Sequence, residues 1–471
     1  MGEKLQAPYI IRALEFFSGI GGFAAAASGT NIRVVNAFDQ SALAREVYLA
    51  NFPRHLLDND NLEHITPEKI SEFQADFWWL SPPCQPYTVR GKERDERDPR
   101  AASLKRLLEI LSDWPESKLP HLLALENVEG FAKSRMRERL VELLKARGFQ
   151  SREVFLCPTA WGIPMRRPRY YLIASRDGIL TLPPPRKTPL EPIADYLDVY
   201  PKGEPPPELM VSPEVVKKFG PGFHIIDPGQ EDAYATCFTS GYGRSYMRAG
   251  SYVKAPGGVR WFSPEEILRL MGFPPDFSFP PSISVRKRWR LVGNSLSVTV
   301  VRYLLCLFPE VRFFQGEPLM IISGGQTGAD RAALDFAVEN SIPHGGWVPR
   351  GRLAEDGVID IKYRVWEMPT SSYAARTEKN VLEADGTLIV SRGPLTGGSS
   401  FTRHCAILHG KPWLHVNLSE VKDLDEAAER ILRWKRENSI VLLNVAGPRA
   451  SSDELIYGSV LELLRKTFRR D

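Results

Sequence analysis

The chain has 471 residues, a formal net charge of +4 and a charged fraction of 25%. The length exceeds that of one ordinary domain, so we expect two, and the modest charge argues against a strongly basic nucleic-acid binder. The cysteines are scattered without a Cys-x-x-Cys pair, which excludes a disulfide framework and a thiolate zinc site, so no metal is expected. Because no apolar run approaches the length of a membrane span, we expect a cytoplasmic protein without a membrane partner.

The chain opens with the pattern of a strand, a glycine turn and a helix. A strand candidate, 10–17, leads into Ser18-Gly19-Ile20-Gly21-Gly22 and then into the small residues 24–27. Glycines let backbone amides approach a ligand at a helix amino terminus. A second predicted strand, 33–38, ends at Asp39, where Rossmann-like folds hold ribose hydroxyls. This favours an adenosine ligand over a plain turn, and the segment 59–62 is placed to contact the adenine.

A buried strand at 77–80 runs into Ser81-Pro82-Pro83-Cys84-Gln85. The two prolines fix the turn, so the Cys84 thiol is placed like a nucleophile at the carboxyl end of a strand. An inert half-buried thiol is the alternative. The charge-mixed segment 90–106 is predicted to be a loop, either solvated or a lid whose arginines contact phosphates.

Two further strand ends carry chemistry. The predicted strand 121–125 terminates in Glu126-Asn127-Val128, and a carboxylate near a cysteine is an acid or base candidate. After an amphipathic helix at 136–147 comes Arg167-Pro168-Arg169, whose arginines project from the same side if a strand begins there.

These motifs, together with Arg290-Leu291-Val292-Gly293-Asn294-Ser295, resemble the ordered motifs of the cytosine-5 methyltransferase family. Met165 departs from the pattern, because many members carry Gln there. The resemblance implies a Rossmann-like methyltransferase fold that binds S-adenosylmethionine. The cofactor-binding residues it implies are Phe17, Ser18, Gly19, Ile20, Gly21, Gly22, Asp39, Gln40, Asn61, Leu62, Pro82, Asn294 and Ser295.

The residue types also fit the chemistry. Carbon 5 of cytosine is a poor nucleophile until a thiolate adds at carbon 6, and Cys84 can supply that covalent step. Charge then develops on the ring nitrogen and the carbonyl oxygen. Glu126 resembles the acid on the nitrogen and Arg167 the guanidinium on the oxygen, with Arg169 as the remaining catalytic candidate.

The interval between the arginine motif and the closing motif, about 177–253, is short for a DNA recognition region. Its Cys237-Phe238-Thr239 resembles a signature of the small type-two tRNA-methylating branch, and the resemblance covers about 10–308. That branch methylates cytosine 38 in the anticodon loop of aspartate or glutamate tRNA. We expect nucleic-acid contacts from Arg90, Cys237, Thr239, Tyr242, Arg286 and Arg288.

The sequence leaves open the roles of Cys237 and Tyr242, the substrate and the class of protein. Cys237 is equally well a buried core thiol, and Tyr242 either stacks on a base or packs internally. DNA is the alternative substrate. A ligand sensor that retains a tRNA-binding scaffold is the alternative of another class.

A second α/β pattern follows. We assign 1–310 to the first domain, 311–318 to a linker and 319–471 to a second Rossmann-like domain. Three glycine turns after strand-like runs would meet at one sheet edge and offer amides to phosphates. This half resembles the molybdenum-cofactor carrier family through Gly324–Asp330 and Asn444–Pro448, which implies a nucleotide or pterin ligand. The expected pocket residues are Gly325, Gln326, Thr327, Asp330, Thr396, Gly397 and Arg449.

Overall fold

The computed structural model describes residues 8–87, 95–179, 181 and 188–468. They divide into two compact units: 12–28 with 32–311, and 312–468 with 8–11 and 29–31. The division differs from the predicted linker at 311–318. Arg312 N donates to Asn31 Oδ1 at 2.8 Å, and Asn31 N donates to the Arg312 carbonyl at 3.0 Å. The chain therefore enters the second unit at once after residue 311.

The first unit contains twelve strands and nine α-helices in its described part. The strands are β1 (Ile11–Phe16), β2 (Ile32–Phe38), β3 (Leu57–Asp58), β4 (Phe77–Leu80), β5 (Leu122–Asn127), β6 (Gln150–Leu156), β7 (Met165–Arg166), β8 (Arg169–Ser175), β9 (Ile225–Ile226), β10 (Ala235–Thr236), β11 (Tyr252–Ala255) and β12 (Gly258–Trp261). The helices are α1 (Gly22–Ala27), α2 (Ala42–Asn51), α3 (Pro67–Ser71), α4 (Ala102–Asp113), α5 (Arg135–Ala146), α6 (Pro213–Phe219), α7 (Pro264–Leu270), α8 (Val285–Gly293) and α9 (Val298–Leu305).

A seven-stranded sheet organises this unit, in the order β3-β2-β1-β4-β5-β8-β6. The central strands β1 and β4 are buried along their whole length, which explains the continuous apolar run of β4, while β1 also buries Arg12 and Glu15. β4 pairs in parallel with both β1 and β5, so the loops after these three strands meet at one edge. β8 runs antiparallel between β5 and β6. The predicted Rossmann-like α/β fold is confirmed.

The prediction of a loop over 90–106 is wrong for the last residues of that segment, which are helical. Residues 88–94 lie outside the described residues, but α4 begins at Ala102 after two short 3₁₀ turns. The helix buries Leu104, Leu107 and Leu111 on one face. That apolar periodicity was masked in the sequence by the charges that precede it.

The small recognition region is built on aromatic packing and one buried ion pair. Its three-stranded sheet has the order β12-β11-β9. Arg260 and Glu266 form a bidentate pair at 2.8 Å, with the side chains 4% and 0% exposed. Glu266 also accepts from Ser263 N and Asp198 N, each at 2.8 Å. This carboxylate therefore fixes three segments of chain with one side chain.

The described part of the second unit contains nine strands, five of which form a parallel sheet in the order β14-β13-β21-β19-β20. Its strands are β13 (Met320–Ile322), β14 (His344–Gly345), β15 (Trp347–Val348), β16 (Leu353–Ala354), β17 (Gly357–Val358), β18 (Trp366–Glu367), β19 (Gly386–Ser391), β20 (Trp413–Asn417) and β21 (Leu442–Ala446). Its helices are α10 (Ala329–Glu339), α11 (Tyr373–Glu383), α12 (Gly397–Leu408), α13 (Leu424–Glu437) and α14 (Ile456–Phe468). Because β13, β21 and β19 are parallel neighbours, the three glycine turns after them meet at one edge, as predicted. Over the described residues of both units, every helix is too short or too polar to cross a bilayer.

Candidate active site

The loop that carries Cys84 is fixed from both sides of the sheet edge. Asn127 Nδ2 donates to the Pro82 carbonyl at 3.1 Å, and Ser81 N donates to the Phe16 carbonyl at 3.2 Å. Tyr87 N closes the turn on the Cys84 carbonyl at 3.0 Å. The half-buried thiol thus has a defined position at the carboxyl edge of β4.

Glu126 and Arg169 face that thiol from β5 and β8. Arg169 Nε lies 3.3 Å from Glu126 Oε1, and the two side chains are 15% and 13% exposed. Cys84, Glu126, Arg167 and Arg169 all line one cavity of about 650 Å³. The four predicted catalytic residues are therefore brought together.

Arg167 is held differently from Arg169. Its Nη1 donates to the Phe238 carbonyl at 2.8 Å, and its Nη2 donates to the carbonyls of Gly293, at 3.3 Å, and Ser295. Its side chain is 3% exposed. Both arginines donate to the same sulfur, that of Cys237, so their side chains project to one side, as predicted. They do so although Arg167 and Pro168 lie between β7 and β8 and not within one continuous strand. These carbonyls engage both terminal nitrogens of Arg167, the atoms expected to bind the cytosine oxygen.

Burial shifts the protonation of this site. Burial raises the pKa of Glu126 even though Arg169 and Arg167 act to lower it. Burial also raises the pKa of the Cys84 thiol, with the charge of Arg169 as the main opposing effect. A protonated Glu126 can donate a hydrogen bond, while Cys84 must lose its proton before it can attack.

The other end of the cavity is formed by the strand ends of β1 and β2. Phe17, Ser18, Gly19, Ile20, Gly22, Asp39, Gln40, Leu62, Pro82, Asn294 and Ser295 line it, as predicted. Ser18 Oγ is buried without a hydrogen-bond partner among the described residues, as expected for a group that binds a ligand. Asp39 accepts from Gly19 N at 2.8 Å and from Ser41 N at 2.8 Å, which ties the two strand ends together. These residues fit the amino-acid and ribose parts of S-adenosylmethionine.

Two predicted cofactor residues lie elsewhere. Asn61 does not line the cavity: its Oδ1 accepts from Glu63 N at 3.1 Å, while Asp60, Leu62 and Glu63 face the space. Gly21 is also absent from the lining. Its φ is 91°, and a Cβ there would lie 2.5 Å from the Phe52 ring, so this glycine serves the turn.

The predicted nucleic-acid set is only partly supported. Arg90 lies outside the described residues, and Thr239 and Arg286 are exposed. Tyr242 is a correction: it is 2% exposed, and its hydroxyl donates to the Ser251 carbonyl at 2.6 Å and accepts from Phe262 N at 2.9 Å. It packs inside the recognition region and cannot stack on a base.

Arg288 also differs from its predicted role. Its Nε donates to the Ile283 carbonyl at 2.7 Å, and its Nη1 pairs with Glu265 at 3.1 Å. These contacts hold the guanidinium against its own unit. The exposed Arg290 on the same helix lines the catalytic cavity instead and was missed as a site residue.

Glu15 is a second residue that sequence reasoning missed. It lies within the buried strand β1, accepts from Phe23 N at 3.2 Å and Tyr48 Oη at 3.1 Å, and lines the cavity. Burial raises its pKa to about 8. The signal that could have found it is a carboxylate between the apolar residues Leu14 and Phe16 of a predicted strand.

In the second unit, three of the predicted pocket residues, Gln326, Thr327 and Asp330, lie in one connected network. Asp330 is buried and pairs with Arg376 at 2.9 Å, and Gln326 N donates to the same carboxylate at 3.3 Å. Gln326 Oε1 accepts from Thr327 N and Glu355 N, at 3.0 and 2.9 Å. Gly325, with φ of 71°, packs against Ile359 and serves the turn. Thr396 and Gly397 are exposed at the start of α12.

A cavity of about 730 Å³ in the second unit lies beside β20. Its lining includes Arg403, His415, Asn417, Glu420 and Arg430, and none of the seven predicted ligand residues. The loop after β19 borders this cavity through Pro394 and Leu395, whereas the turns after β13 and β21 do not line it.

The fold and the cavity together define a class, the S-adenosylmethionine-dependent cytosine-5 methyltransferases. Comparison with known proteins agrees. The sequence model of the C-5 cytosine-specific DNA methylase family matches residues 11–203 and 227–306, more than half of the chain, and the chain belongs to that family. Residues 321–468 match the circularly permutated YpsA SLOG family, which the second unit resembles.

The first unit is similar to tRNA-modifying relatives over almost their whole length. A tRNA (cytosine(38)-C(5))-methyltransferase from Bos taurus is 32% identical over 63% of this chain and 98% of its own. A DNA (cytosine-5)-methyltransferase from Dictyostelium discoideum is 29% identical over 63% and 93%. The crystal structure of S. pombe Dnmt2 methyltransferase is 28% identical, covers 63% of this chain and 97% of its own, and has a TM-score of 0.54.

A solved molybdenum carrier protein from Syntrophus aciditrophicus is 52% identical over 32% of this chain and 96% of its own, with a TM-score of 0.32. The methyltransferase resemblance predicted from the motifs is confirmed by the family model and the relatives, and the likeness of the second half to a permuted nucleotide-binding family is confirmed by the match over 321–468.

Proposed function

We propose that the first unit methylates carbon 5 of cytosine 38 in the anticodon loop of aspartate or glutamate tRNA, through a covalent Cys84 adduct. The observation that carries the proposal is the grouping of Cys84, Glu126 and Arg169 around one cavity. The names of the relatives aligned over nearly their whole length support the tRNA substrate.

The Cys84 thiolate forms a bond to carbon 6 of the cytosine, and the electron pair of the 5,6 double bond becomes nucleophilic at carbon 5. S-adenosylmethionine, when bound, supplies an electrophilic methyl group to that carbon. Water then takes the proton from carbon 5, the electron pair of that C–H bond re-forms the 5,6 double bond, and the bond from carbon 6 to sulfur breaks to release Cys84 as a thiolate. The hydrogen-bonded turn at 81–87 keeps the Cys84 sulfur at the cavity during all of these steps.

Glu126 and Arg169 stabilise the charge that develops on the base. The raised pKa of Glu126 favours the protonated carboxyl, which donates to the ring nitrogen. The guanidinium of Arg169 lies beside it and is positioned for the carbonyl oxygen. We therefore transfer the oxygen-binding role from Arg167 to Arg169. Arg167 supports the wall behind it.

The cofactor would be held by the turn at 17–22 and by the ends of β2 and β3. Ser18 Oγ and the amides of the turn suit its amino-acid end, and Asp39 suits its ribose. Phe17 has a φ of 59°, a strained backbone conformation that is rare for an aromatic residue, and this residue forms part of the cavity wall.

The choice of tRNA over DNA rests on size as well as on relatives. A base in a single-stranded loop costs less to extrude than a base in a duplex. The short region 177–253 offers little surface with which to read duplex sequence. The Dictyostelium relative keeps DNA as the second candidate.

The experiment that tests the substrate is transfer of a labelled methyl group to total tRNA and to genomic DNA in parallel. We expect label in tRNA only, and none with the Cys84→Ala variant, which should still bind tRNA. Label in DNA alone would refute the tRNA proposal and leave the cysteine chemistry intact.

For the second unit we propose a phosphate-bearing ligand at the sheet edge. The Glu355 carboxylate sits among donors from two of the glycine turns: Thr327 Oγ1, Ser451 N at 3.2 Å and Ser451 Oγ at 2.6 Å, with Arg449 Nη1 at 3.8 Å. Hydrogen bonds from Ser451 and Thr327 lower the pKa of Glu355. The same donors suit two oxygens of a phosphate.

Titration of the full chain with inorganic phosphate and with a nucleoside monophosphate tests this site. Arg449→Ala should weaken binding, and Glu355→Gln should strengthen it because a competing negative charge is removed. Arg465→Ala on α14, which removes another exposed arginine, is the matched control. Equal affinity in Arg449→Ala and Arg465→Ala would overturn the proposal.

A further inference from the structure

The thiol of Cys237 lies between the two arginines of the active site. Cys237 follows β10, and its Sγ accepts from Arg167 Nη1 at 3.2 Å and from Arg169 Nη2 at 3.4 Å. A proton on this sulfur would point to the Phe238 carbonyl at 3.6 Å, a much weaker contact. The geometry suits an acceptor that takes two charge-assisted hydrogen bonds.

The charges around this sulfur point the same way. Arg167 and Arg169 place two positive charges in a largely buried site, and buried charges require counter-charges. Glu126 pairs with Arg169, but our proposed mechanism has Glu126 protonated when it donates to the base. An additional anion is then needed beside the guanidiniums, and the structure offers Cys237.

We propose that Cys237 is a thiolate that bridges Arg167 and Arg169 and positions Arg169 for the cytosine oxygen. This inference rests on the role of Arg169 in the proposed function. Cys237 acts through Arg169 and is a positioning residue.

The protonation of the neighbours agrees with this arrangement. Burial acts to raise the pKa of Cys237, but the charges of Arg167 and Arg169 outweigh it and lower the pKa. The other titratable groups near the two guanidiniums are Glu126, Tyr171 and Cys84. Burial raises the pKa of Tyr171, which keeps that phenol neutral near pH 7.

The ionisation is measured without any activity, by following the ultraviolet absorbance of thiolates during a pH titration of Cys84→Ser protein. The difference between Cys84→Ser and Cys84→Ser/Cys237→Ser reports Cys237 alone. We expect its midpoint below that of a free thiol, about 8.5. Cys84→Ser/Cys306→Ser, which lacks the exposed Cys306, is the control and should give a midpoint at or above the ordinary value. A Cys237 midpoint at or above 8.5 would overturn the proposal.

The functional test compares a neutral and an anionic replacement. Cys237→Ser should lower kcat about tenfold to hundredfold with little effect on the KM for S-adenosylmethionine, because Arg169 is misplaced. Cys237→Asp should retain more activity than Cys237→Ser, which a packing role does not predict. Below the pKa of Cys237, log kcat should fall one unit per pH unit more steeply in the wild type than in Cys237→Asp. Full activity in Cys237→Ser would contradict the inference while leaving methylation by Cys84 untouched.

Discussion

Arg169 Nε lies 3.3 Å from Glu126 Oε1 on the wall of the cavity that also holds Cys84. This contact joins the acid and the cation that the chemistry of cytosine activation requires. In the proposed mechanism, Arg169 faces the substrate, while Arg167, held by three carbonyls, supports the wall.

The two arginines should therefore fail in different ways when replaced. Arg169→Lys should lower kcat about a hundredfold, because a single ammonium cannot serve Glu126, Cys237 and the base at once, while the thermal midpoint changes little. Arg167→Lys should mainly lower the free energy of unfolding, by about 1–3 kcal/mol, because buried carbonyls lose their donors. Kinetics and denaturant unfolding of both variants check this. Equal kinetic loss with equal stability in the two would contradict the assignment.

The pH dependence of methylation should be bell-shaped. Burial raises the pKa values of Cys84 and Glu126. Activity requires ionised Cys84, which is gained as pH rises, and protonated Glu126, which is lost as pH rises. Glu126→Gln cannot ionise, so its kcat/KM should be lower but should show no decline at alkaline pH. A decline of the same shape in the variant would assign that ionisation to another group.

The pair of Arg260 and Glu266 should be essential for folding rather than for chemistry. Both side chains are buried, so Glu266→Gln leaves a buried charge uncompensated and should cost about 3–5 kcal/mol of unfolding free energy. The double variant Arg260→Met/Glu266→Leu should recover part of this loss. Chemical denaturation of the three proteins checks the order. A Glu266→Gln protein as stable as the wild type would show that the pair contributes little.

Glu15 predicts how stability depends on pH. Its pKa is raised to about 8 in the folded chain by burial, against 4.5 for the ordinary carboxyl. Between these two values the folded state keeps a proton that the unfolded state has lost. Stability should therefore fall as pH rises through this window, by up to about 1.4 kcal/mol per pH unit. Glu15→Gln should flatten that slope in urea unfolding measured from pH 5 to 8. An unchanged slope would place the titration on another residue.

Local patterns in the sequence were sufficient to predict the strands, the glycine turns and the thiol turn. β4 is apolar because it is buried between parallel neighbours, and Cys84 stands out because prolines surround it. Local patterns do not distinguish the proposed role of Arg167 from that of Arg169. The difference depends on carbonyls at 238, 293 and 295, which are distant in sequence.

Tyr242 shows the same limit. Its spacing beside Cys237 suggested base stacking, yet its hydroxyl satisfies Ser251 and Phe262 inside the recognition region. An aromatic residue gives no local sign of which way it points. Glu15 is recognisable in the sequence as a carboxylate between apolar strand residues. Its role becomes clear only from its hydrogen bonds with Tyr48 and the amide of Phe23.

The most direct test of the central claim is bisulfite sequencing of aspartate and glutamate tRNA after reaction with S-adenosylmethionine and either wild-type or Cys84→Ser protein. The account predicts a conversion-resistant cytosine at position 38 with the wild type and none with Cys84→Ser. Complete conversion at that position with active wild-type enzyme, or equal protection by Cys84→Ser, would contradict it.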